Sequence, residues 1–262
     1  MRIVSWNCKL ALDRKWPRVQ ALVPDLAIVQ ECASPEVLAA KRLKFDPSAC
    51  LWTSKSNAKN ANKGLGVFAP GAEIRPATVW PEIVARWAEH PYRLDVLLPF
   101  EVIRPRRLNV LAVWSFNNRD KPGKGQMPGP VLVALDELRD WLTSEASLVI
   151  GDFNHHVCWD KPKDLNSFSR QIAAFDQLGF RSAYHHLGGV AHGEEPDHTH
   201  RWRVGMTYHI DYAFAPLALL EGARCRIEPL DRWCGEGGIS DHAPLVLDLS
   251  DATPSPRVTR PE

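Results

Sequence analysis

The chain opens on Arg2-Ile3-Val4-Ser5-Trp6-Asn7, an alternating run of β-formers that predicts a strand ending at Asn7. Apolar positions between Trp16 and Val23 predict a short helix stopped by Pro24. The apolar run from Asp25 to Gln30 then reads as a strand buried on both faces, with Glu31 at its end. Further strands are expected over 50–53, 65–69, 78–84, 93–102 and 108–113. A polar, Asn-rich basic loop over 54–63 and a Gly/Pro/Lys loop over 117–130 separate these elements, and loops this long are usually functional or mobile. Helical periodicity covers 131–142 and 166–178, and strands recur over 147–150, 180–184, 198–202, 208–215, 223–228 and 243–249. Many strands with few helices predict two stacked sheets with helices on the outside.

At 262 residues the chain exceeds the usual size of one domain, yet 45% hydrophobic and 24% charged residues are ordinary globular usage. One domain over 1–250 is expected, followed by a polar, Pro-rich disordered tail over 251–262. A formal net charge of +1 excludes a body that holds nucleic acid by bulk charge, so any polyanion must be gripped locally. Arg104, Arg106 and Arg107, then Lys55, Lys59 and Lys63, and then Arg119, Lys121 and Lys124 are the candidate patches, each also readable as solvated surface charge. Six cysteines without a C-x-x-C pair, and no apolar segment behind a basic start, favour a reducing, cytoplasmic location. No apolar run is long enough to cross a bilayer, and the oligomeric state is left open.

Five apolar segments end in a carboxylate, an amide or an imidazole: Val4-Ser5-Trp6-Asn7, Ile28-Val29-Gln30-Glu31, Val149-Ile150-Gly151-Asp152-Phe153-Asn154, His209-Ile210-Asp211-Tyr212 and Ile239-Ser240-Asp241-His242. Carboxylates brought together raise one another's pKa values unless a cation neutralises them. Oxygen donors without zinc-type Cys/His spacing suit a hard ion, Mg²⁺ or Mn²⁺.

These segments, in this order, resemble the motif series of the endonuclease/exonuclease/phosphatase superfamily over about residues 1–250. The resemblance implies an α/β four-layer sandwich, two mixed β-sheets packed face to face with helices outside. It also implies a metal-dependent phosphodiesterase, most directly a nuclease on DNA or RNA. By the same resemblance Glu31 is the principal metal-binding glutamate and Asn7 positions groups at the metal. Asp152 activates or orients the attacking water, and Asn154 helps to hold it and the phosphate. His242 contacts the scissile phosphate, Asp211 orients its ring, and Asp241 is a further metal ligand. Taken singly, Asn7 and Asn154 also read as turn caps, Asp211 as a surface carboxylate and Asp241 as a cap.

The sequence departs from the family's deoxyribonucleases where a second catalytic histidine ends the strand equivalent to 108–113. There Trp114 stands, and an indole offers one N–H and a flat apolar face but no acid. The leaving-group proton would come from metal-bound water, Ser115 or Asn117, with Trp114 read as substrate-facing or as core. The segment His198-Thr199-His200-Arg201-Trp202 resembles a cleft-lining stretch of abasic-site endonucleases, which makes Trp202 a base- or sugar-stacking candidate and Arg201 or Arg203 a phosphate contact. Trp202 reads equally as a buried strand residue. His155 falls on the rim, beside Asn154. The clustered histidines His155-His156, His185-His186, His192, His198 and His200 match no known zinc spacing. Two other functions stay open: a phosphatase or phospholipase-type hydrolase on a small or lipid phosphate, and a non-catalytic module keeping the fold.

Overall fold

The computed structural model describes residues 1–54, 61–88, 94–116, 127–203, 205–234 and 238–250. Lys55, Lys59, Asn117, Arg119, Lys121, Lys124 and the tail 251–262 lie outside the described residues.

The chain lays down β1 (Arg2–Asn7), α1 (Leu12–Gln20), β2 (Leu26–Cys32), α2 (Pro35–Ala40), β3 (Cys50–Thr53) and β4 (Gly64–Phe68). It continues through β5 (Glu73–Pro76), α3 (Trp80–Arg86), β6 (Leu97–Arg104), β7 (Leu108–Trp114), α4 (Pro130–Glu137), α5 (Arg139–Ser144) and β8 (Ser147–Asp152). Next come α6 (Phe168–Gln177), β9 (Phe180–Ser182), α7 (Ala183–Gly188), the hairpin β10 (His200–Arg203) and β11 (Met206–Tyr208), and β12 (Asp211–Pro216). The last elements are α8 (Leu217–Leu220), β13 (Arg224–Ile227), α9 (Leu230–Cys234) and β14 (Leu245–Asp248).

Two six-stranded sheets result, in the orders β13-β14-β1-β2-β4-β3 and β5-β6-β7-β8-β12-β9. Both are mixed, because β1 runs parallel to β2 and β7 parallel to β8 while their other neighbours are antiparallel. The unbroken apolar runs are explained by burial on both faces. In β2, Leu26 and Ile28 join the core between the sheets, while Ala27 and Val29 pack against Leu12, Trp16 and Val19 of α1. In β7, Val110 and Ala112 face inward, and Leu111 and Val113 meet Val131 and Leu135 of α4. Each such side chain contributes roughly 1.5–3 kcal/mol on full burial. Helix, sheet, sheet and helix make the expected four layers. Among the described residues, no helix is long and apolar enough to cross a membrane.

Several elements differ from expectation. Residues 80–86 are helical rather than a strand. Pro81 fits the first turn of a helix, and Trp80 and Ile83 at three-residue spacing enter the outer core, so tertiary packing overrides their strand preference. The first helix lies at 12–20 rather than 16–23. The expected helix 131–142 is broken at Leu138, and the strand 208–215 is split into β11 and β12. Residues 183–188 form a helix ended by Gly189 at φ 64, a left-handed terminus that glycine adopts without strain. The short elements α2, β5, α8 and α9 carry too few periods to be read from pattern.

Register decides which strand ends meet. Asn7 pairs with Gln30 across the parallel β1/β2 ladder, and Trp114 pairs with Asp152 across β7/β8. Because β12 runs antiparallel to β8, its first residue, Asp211, pairs with the last residue of β8, Asp152.

Candidate active site

The two sheets are joined at this end by a hydrogen bond from Asn7 Nδ2 to Asp152 Oδ2, 2.9 Å long and fully buried. Asn154 Nδ2 donates to the same oxygen at 2.9 Å and to the Ser115 carbonyl at 2.9 Å, while Asn154 N–H donates to Asp152 Oδ1 at 2.9 Å. Two amides therefore fix the Asp152 carboxylate from opposite sheets. Gly151 makes this possible: at φ 152, a Cβ would lie 1.9 Å from the Val113 carbonyl oxygen, so only glycine fits between the strands here. Asn154 follows at φ 53.

Glu31 sits at a register shift between Gln30 and Cys32 in the β2/β4 ladder, with φ 57. A bulge re-aims the side chain that it carries. A left-handed glutamate costs on the order of 1–3 kcal/mol and persists only where its surroundings impose it, a feature concentrated at functional sites. Glu31 pairs with Lys63 Nζ at 3.0 Å. Likewise Asp241 pairs with Lys9 Nζ at 3.0 Å, and its carboxyl stays below the usual range: burial opposes the charge, but His242 and Lys9 outweigh it.

His242 is held in place from three sides. Its ring Nδ1 lies 2.9 Å from Asp211 Oδ2, its backbone carbonyl accepts from Trp6 Nε1 at 2.8 Å, and its N–H donates to Ser240 Oγ at 3.2 Å. Ser240 Oγ in turn donates to the Asn7 carbonyl at 2.7 Å, tying this loop to β1. The remaining ring nitrogen, Nε2, lies 4.0 Å from Asp152 Oδ2. Burial pulls His242 toward neutrality, yet Asp211 and Asp152 outweigh it and raise its pKa above the usual histidine range. Asp152 is raised as well, first by burial and then by the charge of Asp211, with the charge of His242 holding it back.

The site also contains acidic and imidazole groups that could hold a metal ion. Asp152, Asp211 and His242 bring ligand atoms within 4.8 Å of one another, and Asp211 Oδ1 is buried with no hydrogen-bond partner. Glu31 and Asp241 each already face positive charge, supplied here by lysine.

No family model matches the sequence, and no curated relative matches it. Solved structures do. A 3′-5′ exonuclease from Neisseria meningitidis superposes with a TM-score of 0.66 at 19% identity, over 95% of this chain and 99% of that one. Another structure of that protein is described as a 3′ phosphatase bound to product DNA hairpin. An AP endonuclease from Archaeoglobus fulgidus gives 0.61 at 16% identity, over 96% and 100% of the two chains. An endonuclease/exonuclease/phosphatase protein from Beutenbergia cavernae gives 0.55 at 18%, over 95% and 71%. The chain shares the fold of these structures, the endonuclease/exonuclease/phosphatase protein among them.

Within this fold, the residues singled out in the sequence separate into groups. Asn7, Asp152, Asn154, Asp211 and His242 are joined by the contacts above. Glu31 and Asp241 flank them, Glu31 one residue beyond the ladder partner of Asn7 and Asp241 beside His242. Trp114 is 2% exposed and belongs to the core between the sheets, with Phe116 4.9 Å away and Lys63 Nζ 5.6 Å from its ring centroid. Ser115, considered as a proton source, is fully buried with Oγ unpartnered. His155 is buried, with Nδ1 2.6 Å from the Phe153 carbonyl. Trp202 is 60% exposed, which removes its reading as a buried strand residue. Arg201 is engaged by the Asp231 carboxylate and the Cys234 carbonyl.

Four residues of the site were not picked out for these roles. Lys9 and Lys63 neutralise the flanking carboxylates. Thr199 is fully buried, and its Oγ1 accepts the N–H groups of Ile210 at 2.9 Å and Asp211 at 3.1 Å, fixing the start of β12. His200 lies 4.6 Å from His242, centroid to centroid, and burial together with the His242 charge lowers its pKa to about 3. Its ring is therefore a neutral surface beside the imidazolium. Only the H-T-H segment hinted at Thr199 and His200; nothing in the sequence pairs either lysine with its carboxylate.

Proposed function

We propose that this chain is a Mg²⁺- or Mn²⁺-dependent phosphodiesterase that hydrolyses nucleic acid, with DNA as the first substrate to test. Residues 1–250 would act as one catalytic domain. The observation that carries the reading is the convergence on Asp152 Oδ2 of two amides, with the Asp211-held His242 ring opposite. The solved structures of the same fold described as a 3′-5′ exonuclease and an AP endonuclease support the reaction class.

Glu31, Asn7 and Asp241 would hold the metal, which when bound stabilises negative charge on the phosphoryl oxygens and lowers the pKa of the attacking water. Asp152, made more basic than an ordinary carboxylate by burial, takes the proton of that water. Asn7 and Asn154 keep the accepting oxygen in place as it does so. The Asp211 carboxylate keeps His242 protonated, and its Nε2–H donates to a non-bridging phosphate oxygen. Trp202, exposed two residues beyond His200 on β10, offers a face on which a base could stack, whereas His155 is buried and Arg201 would have to leave Asp231 to meet a phosphate. Six cysteines, none joined in a disulfide, fit a reducing, cytoplasmic setting.

Plasmid nicking and hydrolysis of a generic phosphodiester, each with Mg²⁺ and with EDTA, test the reading. Turnover that depends on the metal and is lost in Asp152→Ala is expected; turnover indifferent to both would sink it. Phosphatase action on a 3′ end is a second reading, favoured by the Neisseria protein's description, and release of phosphate from a 3′-phosphorylated hairpin tests it.

A further inference from the structure

Away from the proposed catalytic carboxylates, histidines from α7, from the 189–199 loop and from the turn at His156 gather around one buried carboxylate. Glu195 Oε1 lies 2.9 Å from His185 Nε2 and accepts the Gly193 N–H at 3.0 Å, while Glu195 Oε2 lies 3.3 Å from His156 Nε2. The His192 ring stacks on His185 with centroids 3.7 Å apart, and His192 Nδ1 is buried with no hydrogen-bond partner. His185, His192 and Glu195 each present a ligand atom within 4.8 Å of the others. The rings of Phe168, Tyr212 and Phe214 also lie near His192, with centroids 5.7, 6.0 and 6.2 Å away.

We propose that His185, His192 and Glu195 form a second metal site, suited to Zn²⁺, which pins the 189–199 segment to α7. Two imidazole nitrogens and one carboxylate oxygen are the donors of a borderline ion, unlike the oxygen-rich set around Glu31. The 2.9 Å spacing between Glu195 Oε1 and His185 Nε2 is near the roughly 3.3 Å between ligands of a tetrahedral zinc. Ser182 Oγ lies 2.7 Å from His185 Nδ1, and His156 meets the far oxygen of Glu195; such partners orient ligands toward a metal. Sequence spacing hid the site because His185, His192 and Glu195 come from a helix and an irregular loop, with no fixed interval.

The test is binding rather than turnover, so its outcome is independent of the phosphodiesterase reading. The metal-stripped full chain is titrated with Zn²⁺ against a chromophoric chelator in excess Mg²⁺, alongside Asp152→Asn, His192→Ala and Glu195→Gln. Wild type and Asp152→Asn are expected to bind one equivalent of Zn²⁺, to show a visible Co²⁺ spectrum on substitution, and to melt higher with zinc. His192→Ala, which removes no hydrogen bond at Nδ1, and Glu195→Gln are expected to bind at least tenfold more weakly while keeping the metal-free circular dichroism of wild type. The proposal is overturned if wild type binds no zinc under excess Mg²⁺, if both His192→Ala and Glu195→Gln bind like wild type, or if Asp152→Asn alone abolishes binding.

Discussion

The Asp211 carboxylate holds the His242 ring through a 2.9 Å contact from Oδ2 to Nδ1; both residues are buried, Asp211 at the start of β12 and His242 in the loop that leads into β14 of the other sheet. The contact does two things at once: it fixes the direction of Nε2 toward Asp152, and it stabilises the imidazolium. Asp211→Asn keeps the shape and removes the charge. It is expected to lower kcat by about 10²–10³, the usual worth of a positioned donor that stabilises charge on the reacting oxygens, with circular dichroism unchanged. A variant with full kcat would remove His242 from the proposed chemistry.

The pH profile follows from two shifts in the same direction. Burial raises Asp152 above the usual carboxylate range, so the proton-accepting form is present only above that raised pKa and activity should climb toward neutrality. Asp211 and Asp152 raise His242, so the protonated ring persists above the usual histidine range before the alkaline limb falls. Asp211→Asn takes a repelling carboxylate from Asp152 and an attracting one from His242. Both limbs of kcat/KM against pH should therefore move to lower pH. Movement of the limbs in opposite directions would contradict the assignment.

Much of this site was legible because a strand end is visible as an apolar run meeting a polar residue: Asn7 and Asp152 close β1 and β8, and Glu31 lies one residue from the end of β2, whereas Asp211 opens β12 instead of closing a strand and His242 lies in the loop before β14. Burial on both faces of β2 and β7 likewise produced the unbroken runs that pointed to a layered sandwich. What stayed hidden depends on contacts distant in sequence. Lys9 and Asp241 are separated by most of the chain, and Lys63 meets Glu31 only after β4 pairs with β2. The helix α3 was misread because Ile83 and Val84 favour strands locally, whereas the core that it covers selects the helix.

Lys63 competes with any cation for Glu31, since its ammonium already lies 3.0 Å from that carboxylate. The pair is partly exposed, so its worth is the roughly 0.2–1 kcal/mol of a surface ion pair. Lys63→Ala is therefore expected to lower the Mn²⁺ or Mg²⁺ concentration for half-maximal activity by up to about fivefold. Isothermal titration with Mn²⁺ measures the same change directly. Weaker metal binding in this variant would mean that Lys63 supports the site rather than competing for it.

Gly151 separates steric from conformational cost. A methyl group there would meet the Val113 carbonyl oxygen at 1.9 Å, on a backbone at φ 152. Gly151→Ala should lose at least about 2–3 kcal/mol, from overpacking added to backbone strain. Gly189 has φ 64 but nothing within 4 Å of a Cβ, so Gly189→Ala should lose only about 1–2 kcal/mol. Urea unfolding of the two variants checks the order, and a Gly151→Ala protein as stable as Gly189→Ala would show that the strands can move apart.

Trp202 distinguishes a nucleic-acid substrate from a small phosphoester. It is 60% exposed on β10, and the His200 ring 6.2 Å from it leads back to His242. An exposed indole adds little to folding, but stacking on a base is worth about 1–3 kcal/mol. Trp202→Ala should raise KM for an oligonucleotide roughly 5- to 150-fold at constant kcat. The same variant should leave hydrolysis of a small phosphodiester and the melting temperature unchanged. A KM increase for both substrates would place the indole at the phosphate rather than at a base, and no increase for either would remove it from substrate binding.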